Sequence, residues 1–183
     1  MTERRDTRLL ATCRCGKARL EAVGRPIVAA ACYCTSCQDA GRRFEQAAGA
    51  PPVVDPDGGT SYILYRKDRV RCVTGAELLE ERRLEPGSPT RRVVAVCCQS
   101  PMFLDFTKGH WLSIWRNRFD AGAPAVEMRV MTKERRAGVE LADDVPNYDG
   151  YSRHFLSRQI IAWIAMGLRR PVIPWGAPAG TAP

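Results

Sequence analysis

Five cysteines within the first forty residues constrain this chain more than any other feature. They stand as Cys13-Arg-Cys15 and Cys32-Tyr-Cys34-Thr-Ser-Cys37, and an adjacent pair, Cys97-Cys98, follows some sixty residues later. Thiols one and three residues apart converge on one metal ion where the backbone turns sharply. A ligand set of soft thiolates favours zinc or an iron–sulfur cluster over magnesium or calcium.

The motif Cys32, Cys34, Cys37 supplies three thiolates from one knuckle and leaves a fourth tetrahedral position open. A catalytic zinc needs such a position, whereas a closed four-ligand set is structural. A reduced, metal-free thiol cluster is the alternative. Cys13 and Cys15 supply two ligands of a second site, which needs at least one more from Cys97 or Cys98. Adjacent residues of a regular strand point to opposite faces, so regular geometry offers only one of that pair. Cys72 lies in a strand-like run and reads as core packing.

Eight cysteines could in principle pair as disulfides. Residues 1–8 are polar, with no apolar stretch behind them, so no secretory leader is expected and the chain reads as cytoplasmic. Thiols stay reduced there, which favours metal binding. The longest apolar run, Ile160 to Leu168, is far short of the ~20 residues needed to cross a bilayer.

The 183 residues, 45% hydrophobic and 26% charged, fit one globular domain with a short appendage. The net charge of +8 is carried almost wholly by arginine. The Arg pairs 42–43, 82–83, 91–92, 135–136 and 169–170 are dispersed, without a recognition helix or an RNA-binding signature, which disfavours nucleic acid as a partner.

Strands are expected at Arg8 to Thr12, Lys17 to Val23, Pro26 to Cys32, Ser61 to Tyr65, Val70 to Thr74, Arg91 to Val96, Trp111 to Phe119 and Val126 to Met131. Leu78 to Leu84 is ambiguous between helix and strand. Thr35 to Phe44 reads as a short helix capped by Thr35 or Ser36. Apolar residues at 156, 160, 163, 164 and 168 have helical spacing and predict a helix over Ser152 to Leu168. The fold class is therefore mainly β. Its expected parts are a zinc-binding β domain over 8–150, a helical appendage over 151–175 and a disordered tail over 176–183. The apolar stretch 155–168 would pack on the sheet or form a homodimer contact.

Residues 13–41 and 91–103 resemble the glutathione-dependent formaldehyde-activating enzyme family, which includes centromere protein V. The family shows C-x-C-G, then C-H-C-x-x-C, then F-C-x-x-C-G. The matching stretches here are Cys13-Arg-Cys15-Gly16, Cys32-Tyr-Cys34-Thr-Ser-Cys37 and Cys98-Gln-Ser-Pro-Met-Phe103. The resemblance implies an Mss4-like, β-tent fold with one or two zinc ions. It matches Cys32, Cys34 and Cys37 to the catalytic knuckle, and Cys13, Cys15 and Cys98 to a structural site. Tyr33 replaces the family's histidine, Ala95 falls where a third-motif cysteine is expected, and Gln99 replaces a glycine.

The function implied is carbon–sulfur bond formation or cleavage on a small thiol adduct such as a glutathione conjugate. Arg42 and Arg43, just past the knuckle, are candidates to clamp a substrate carboxylate. His110 and His154, the only histidines, are candidate bases. Two other classes compete. One is a zinc-stabilised module binding a protein or nucleic acid. The other is a thiol switch at Cys97-Cys98 or the knuckle, which lacks the βαβ context of thioredoxin-like motifs.

Overall fold

The computed structural model describes residues 7–120 and 122–173, so the tail expected over 176–183 lies outside the described residues. Two sheets carry the chain. Strands β1 (Arg8–Thr12), β2 (Arg19–Val23) and β5 (Val70–Thr74) form an antiparallel sheet in the order β1-β2-β5. The larger sheet uses β3 (Val28–Cys32), β4 (Thr60–Arg66), β6 (Leu79–Arg82), β7 (Thr90–Ala95), β8 (Ser100–Phe106), β9 (Trp111–Trp115) and β10 (Met128–Val130). Its order is β10-β3-β4-β9-β8-β7-β6, antiparallel throughout except for the parallel β10–β3 pair.

Register assigns each rung of the large sheet to one face. Ala29, Ile63, Ile114, Phe103 and Val93 lie side by side across five strands. They pack with Leu20 and Ala22 of the small sheet in one core. The next rung is Val28, Leu64, Ser113, Leu104 and Arg92. Side chains alternate along a strand, so this rung faces the opposite side. There the sheet meets two helices, α1 (Thr35–Glu45) and α2 (Arg153–Ile164), and a second core forms around Trp115, Tyr62 and Phe44.

Helix α1 buries Cys37, Gln38, Ala40, Gly41 and Phe44, a stripe at helical spacing. A Cβ on Gly41 would overlap Val54, so the close approach of the 53–54 segment requires glycine. The expected cap is corrected: Cys34 is the N-cap residue and gives no side-chain hydrogen bond. The orphan donors find Glu134 instead, whose Oε2 accepts from Thr35 N at 2.8 Å and from Thr35 Oγ1 at 2.9 Å. A carboxylate a hundred residues downstream thus does what a local residue was expected to do.

Helix α2 is capped by Ser152, whose Oγ accepts from Phe155 N at 3.0 Å. It ends at Ile164, short of the expected Leu168, because Gly167 and Leu168 adopt left-handed backbone angles and reverse the chain. Its packed face also differs from the expected stripe. Phe155 and Gln159 are buried, whereas Leu156, Ile160, Ile161 and Ile164 are exposed. Trp163 stacks on His110 with ring centroids 5.9 Å apart, and the Arg170 guanidinium lies 4.5 Å over the Trp163 ring. Among the described residues no helix is long and apolar enough to cross a membrane.

Candidate metal centre

The cysteines gather into two groups. In the first, the sulfurs of Cys13, Cys15, Cys97 and Cys98 all lie within 4.8 Å of one another. Cys13 and Cys15 sit on a tight turn after β1, closed by Gly16 N donating to Cys13 O at 2.9 Å. Cys97 and Cys98 sit on a second turn, between β7 and β8. Strand β7 ends at Ala95, Cys98 N donates to Ala95 O at 3.3 Å, and Gln99 takes a left-handed φ of 53°. The expectation that only one of the pair could face the group presumed a continuing strand. The turn lifts that limit, and Cys97 comes within 3.3 Å of Cys15 and 3.9 Å of Cys13, sulfur to sulfur. Ala95 meanwhile stays in the core. Ser100 Oγ lies 3.1 Å from Cys98 Sγ and accepts from Arg14 N at 3.0 Å, tying the two turns together.

In the second group, Cys32, Cys34 and Cys37 also place their sulfurs within 4.8 Å of one another. Cys32 ends β3, Cys34 is the N-cap of α1, and Cys37 lies in its first turn. Cys34 O accepts from Cys37 N at 3.0 Å and from Gln38 N at 3.1 Å. Gln38 Nε2 in turn donates to Tyr33 O at 2.5 Å and to Glu134 O at 2.8 Å, which fixes the knuckle backbone. Tyr62, packed beside the knuckle, donates its hydroxyl to Cys37 Sγ at 3.7 Å. Tyr33, which replaces the family's histidine, points away from the trio. Its hydroxyl donates to Asp57 Oδ2 at 2.5 Å, and its ring lies so close to Gly59 that a Cβ there would sit 2.8 Å from Cζ.

Both groups could hold a cation. Hydrogen bonds from the Cys32 and Cys37 thiols bring Cys34 down to about 3, against the opposing effect of burial. Those same contacts, with burial, push Cys32 well above the usual thiol range. In the four-sulfur group, burial opposes ionisation of Cys98, but hydrogen bonds from Ser100 and from the Cys15 amide prevail and lower it to about 6. Sulfur-only donors at mutual contact, with one thiol of each group already favouring the thiolate, suit a soft, thiophilic metal. Cys72 joins neither group: it packs against the first core and donates to Thr74 O at 3.2 Å.

The two groups differ in what lies beside them. Cys32, Cys34 and Cys37 border a cavity of about 480 Å³. Its floor is the outward rung of the large sheet, with Leu64, Ser113, Leu104 and Arg92, and its roof is α2, with Phe155 and Gln159. Arg92 is 1% exposed. Its Nη2 donates to Ser36 Oγ at 2.9 Å and to Ser36 O at 3.3 Å, so it also braces the first turn of α1. The residues singled out beforehand as substrate contacts stand elsewhere. Arg42 pairs with Asp39, Arg43 donates to Leu84 O at 3.3 Å, and neither lines the cavity. His110 is buried under Trp163, His154 is exposed on α2, and neither lines the cavity. Sequence reasoning missed Arg92 and Gln159. The signal for Arg92 was available: in the alternating run Thr90-Arg-Arg-Val93, one of two consecutive arginines must face inward.

Fold and thiol groups together define a mainly-β protein with two cysteine clusters that could each hold a metal ion. The model of the glutathione-dependent formaldehyde-activating enzyme family matches residues 8–121, and the chain belongs to this family, whose fold is Mss4-like. No curated protein shows significant similarity to the chain. Among solved structures, a Rhodobacter sphaeroides protein from a structural-genomics programme aligns with a TM-score of 0.44 and 15% identity, over 76% of this chain and 98% of that one.

Proposed function

We propose that the protein is a zinc-dependent carbon–sulfur lyase acting on a thiol adduct, the class of reaction to which the family's description points. In this reading Cys13, Cys15, Cys97 and Cys98 hold a structural zinc, and Cys32, Cys34 and Cys37 hold a catalytic one. The observation that carries it is the contrast in ligand number: four sulfurs close one group, while three border a cavity at the other. When bound, the zinc at the trio supplies a Lewis-acidic position for a substrate sulfur.

The chain's own residues do the rest. Cys34 and its neighbours fix the ligand plane. Leu64 and Leu104 on the floor and Phe155 on the roof give the reacting carbon apolar walls. Arg92 offers positive charge across the cavity from α2. For an S-hydroxymethyl thiol, the carbon–sulfur bond breaks and sulfur keeps the bonding pair. The hydroxyl oxygen gives up its proton to water as its lone pair forms the aldehyde carbonyl. Addition of a thiolate to an aldehyde is the same step reversed.

The test is metal content together with turnover. Protein purified without chelators should carry about two zinc ions per chain and should release aldehyde from S-hydroxymethyl thiols. Two zinc ions with no turnover of any thiol adduct would replace the lyase reading with that of a zinc-stabilised binding module.

A further inference from the structure

The cavity beside Cys32, Cys34 and Cys37 carries a chemical signature of its own. Among its described lining residues, Arg92 is the one charged side chain apart from the cysteine thiols, and neither aspartate nor glutamate is present. Arg92 Nε has no hydrogen-bond partner although the residue is 1% exposed. Gln159, on the roof, is 6% exposed, and both its Oε1 and its Nε2 lack partners. Buried polar groups are ordinarily satisfied, because leaving them unpaired forfeits their hydration for nothing. Two such side chains line one cavity, and a ligand that drew their polar atoms towards it would supply the partners they lack. Leu64, Leu104, Phe106, Trp111, Val130 and Phe155 give apolar wall, and Ser36, Tyr62, Thr90, Ser113 and Tyr151 add only uncharged hydroxyls.

This pattern selects among thiols. Glutathione carries two carboxylates and an ammonium group, so burying it here would leave an ammonium without an acid and a carboxylate without a cation, at a heavy desolvation cost. A small thiol with an apolar body and one carboxylate matches the inventory. We propose that the cavity takes such a thiol acid, free or as its aldehyde adduct. The carboxylate accepts from Arg92 Nε, the Gln159 amide pairs with a polar group of the ligand, and the sulfur faces the cysteine trio. This rests on the reading that the cavity receives a thiol adduct.

Calorimetric titration of the zinc-loaded protein tests it, with ω-mercaptoalkanoates of about three to six carbons, their methyl esters, glutathione, and hexanoate as a thiol-free probe. The best acid should bind at least about tenfold tighter than its ester, and tighter than glutathione. Gln159→Leu should weaken the acid several-fold while raising the melting temperature of the free protein, because it removes two unpaired buried groups. Arg92→Met should erase the preference for acid over ester. Arg92→Lys is the fallback where loss of the Ser36 contact prevents folding, and it should reduce that preference.

Equal affinity for acid and ester, or tightest binding of glutathione, overturns the inference and leaves the lyase reading intact. Arg92-dependent binding of hexanoate with no gain from the thiol upholds carboxylate recognition and sinks the lyase reading instead.

Discussion

The four-sulfur group and the three-sulfur group are built from the same side chain in different settings. Cys13, Cys15, Cys97 and Cys98 come from two turns far apart in the chain and tied through Arg14 N and Ser100 Oγ, so a metal there would be a further cross-link between β1 and the β7–β8 connection. Cys32, Cys34 and Cys37 come from one strand end and one helix start, already held by Gln38, Glu134 and Tyr62. A metal at the trio would close only a short local loop, and it would stand beside a cavity. Beside sulfur number, the two groups differ in span: one joins chain segments some eighty residues apart, and the other lies within six residues.

That comparison breaks most readily at Cys13. On the reading proposed above, Cys13→Ser should abolish one metal equivalent and destabilise the fold by more than about 3 kcal/mol, because a structural site's binding energy is folding energy. Denaturant melts and elemental analysis would show it. A variant that loses metal yet melts unchanged would remove the structural half of the contrast.

Next in size is Cys34→Ser, which should also lose one metal equivalent but cost less stability than Cys13→Ser, because three cysteines within six residues can hold the metal in the unfolded chain too. Its turnover of a thiol adduct should fall by more than about a hundredfold, exceeding the upper end of what losing an outer partner of a metal ligand costs. If Cys34→Ser proved as destabilising as Cys13→Ser, the two groups would be equivalent scaffolds and the distinction would dissolve.

How much of this was legible beforehand differs between the two regions. The clustering of Cys32, Cys34 and Cys37 was readable, because the three thiols lie within six residues and local chain geometry brings them together. The second group was readable only in part. Its two halves are eighty residues apart, and the alternation rule applied to Cys97-Cys98 presumed a strand where the chain turns with Gln99 left-handed. Strand β8 went unread because Ser100-Pro-Met-Phe-Leu-Asp-Phe106 begins with a turn-like Ser-Pro and gains its pairing from β7 and β9. The cavity was the least legible. Arg92 and Gln159 have no local pattern that separates them from solvated charge and amide; only the register of four strands and the docking of α2 bring them inside. The same docking inverted the expected face of α2. Trp163 stacks on His110 and Phe155 closes the roof, so Ile160, Ile161 and Ile164 turn outward.

That docking offers a pH probe confined to the cavity region. Burial lowers the His110 imidazole below its ordinary value of 6.5, and Arg170 and Lys67 nearby add to the effect. A histidine depressed in the folded state contributes stability that is fully present above its unfolded pKa and is lost as the pH falls through the folded one. Lowering the pH from 7 towards 5 should therefore loosen α2 over the cavity. His110→Phe keeps an aromatic face for Trp163 and should flatten this part of the pH dependence. The check is the difference between parent and variant melts across that range. If the four-sulfur group alone sets the acid limit, the two curves will run parallel.

The smallest effect is expected at Cys72, the cysteine that belongs to neither group. Its thiol is partly buried against the first core and makes one weak bond, to Thr74 O. Cys72→Ala removes that bond and a modest apolar area, worth about 1 kcal/mol or less. Metal content should stay at the parental value, since the sulfurs within 4.8 Å of one another in each group exclude Cys72. Unchanged metal with a slightly lower melting temperature sharpens the contrast, because a cysteine packed beside the fold's core then behaves as a small hydrophobe, while its neighbours in the chain behave as ligands. A drop of one metal equivalent would place Cys72 in a ligand shell, which requires β5 to shift towards the turn carrying Cys13. The division into a closed four and an open three would then have to be redrawn.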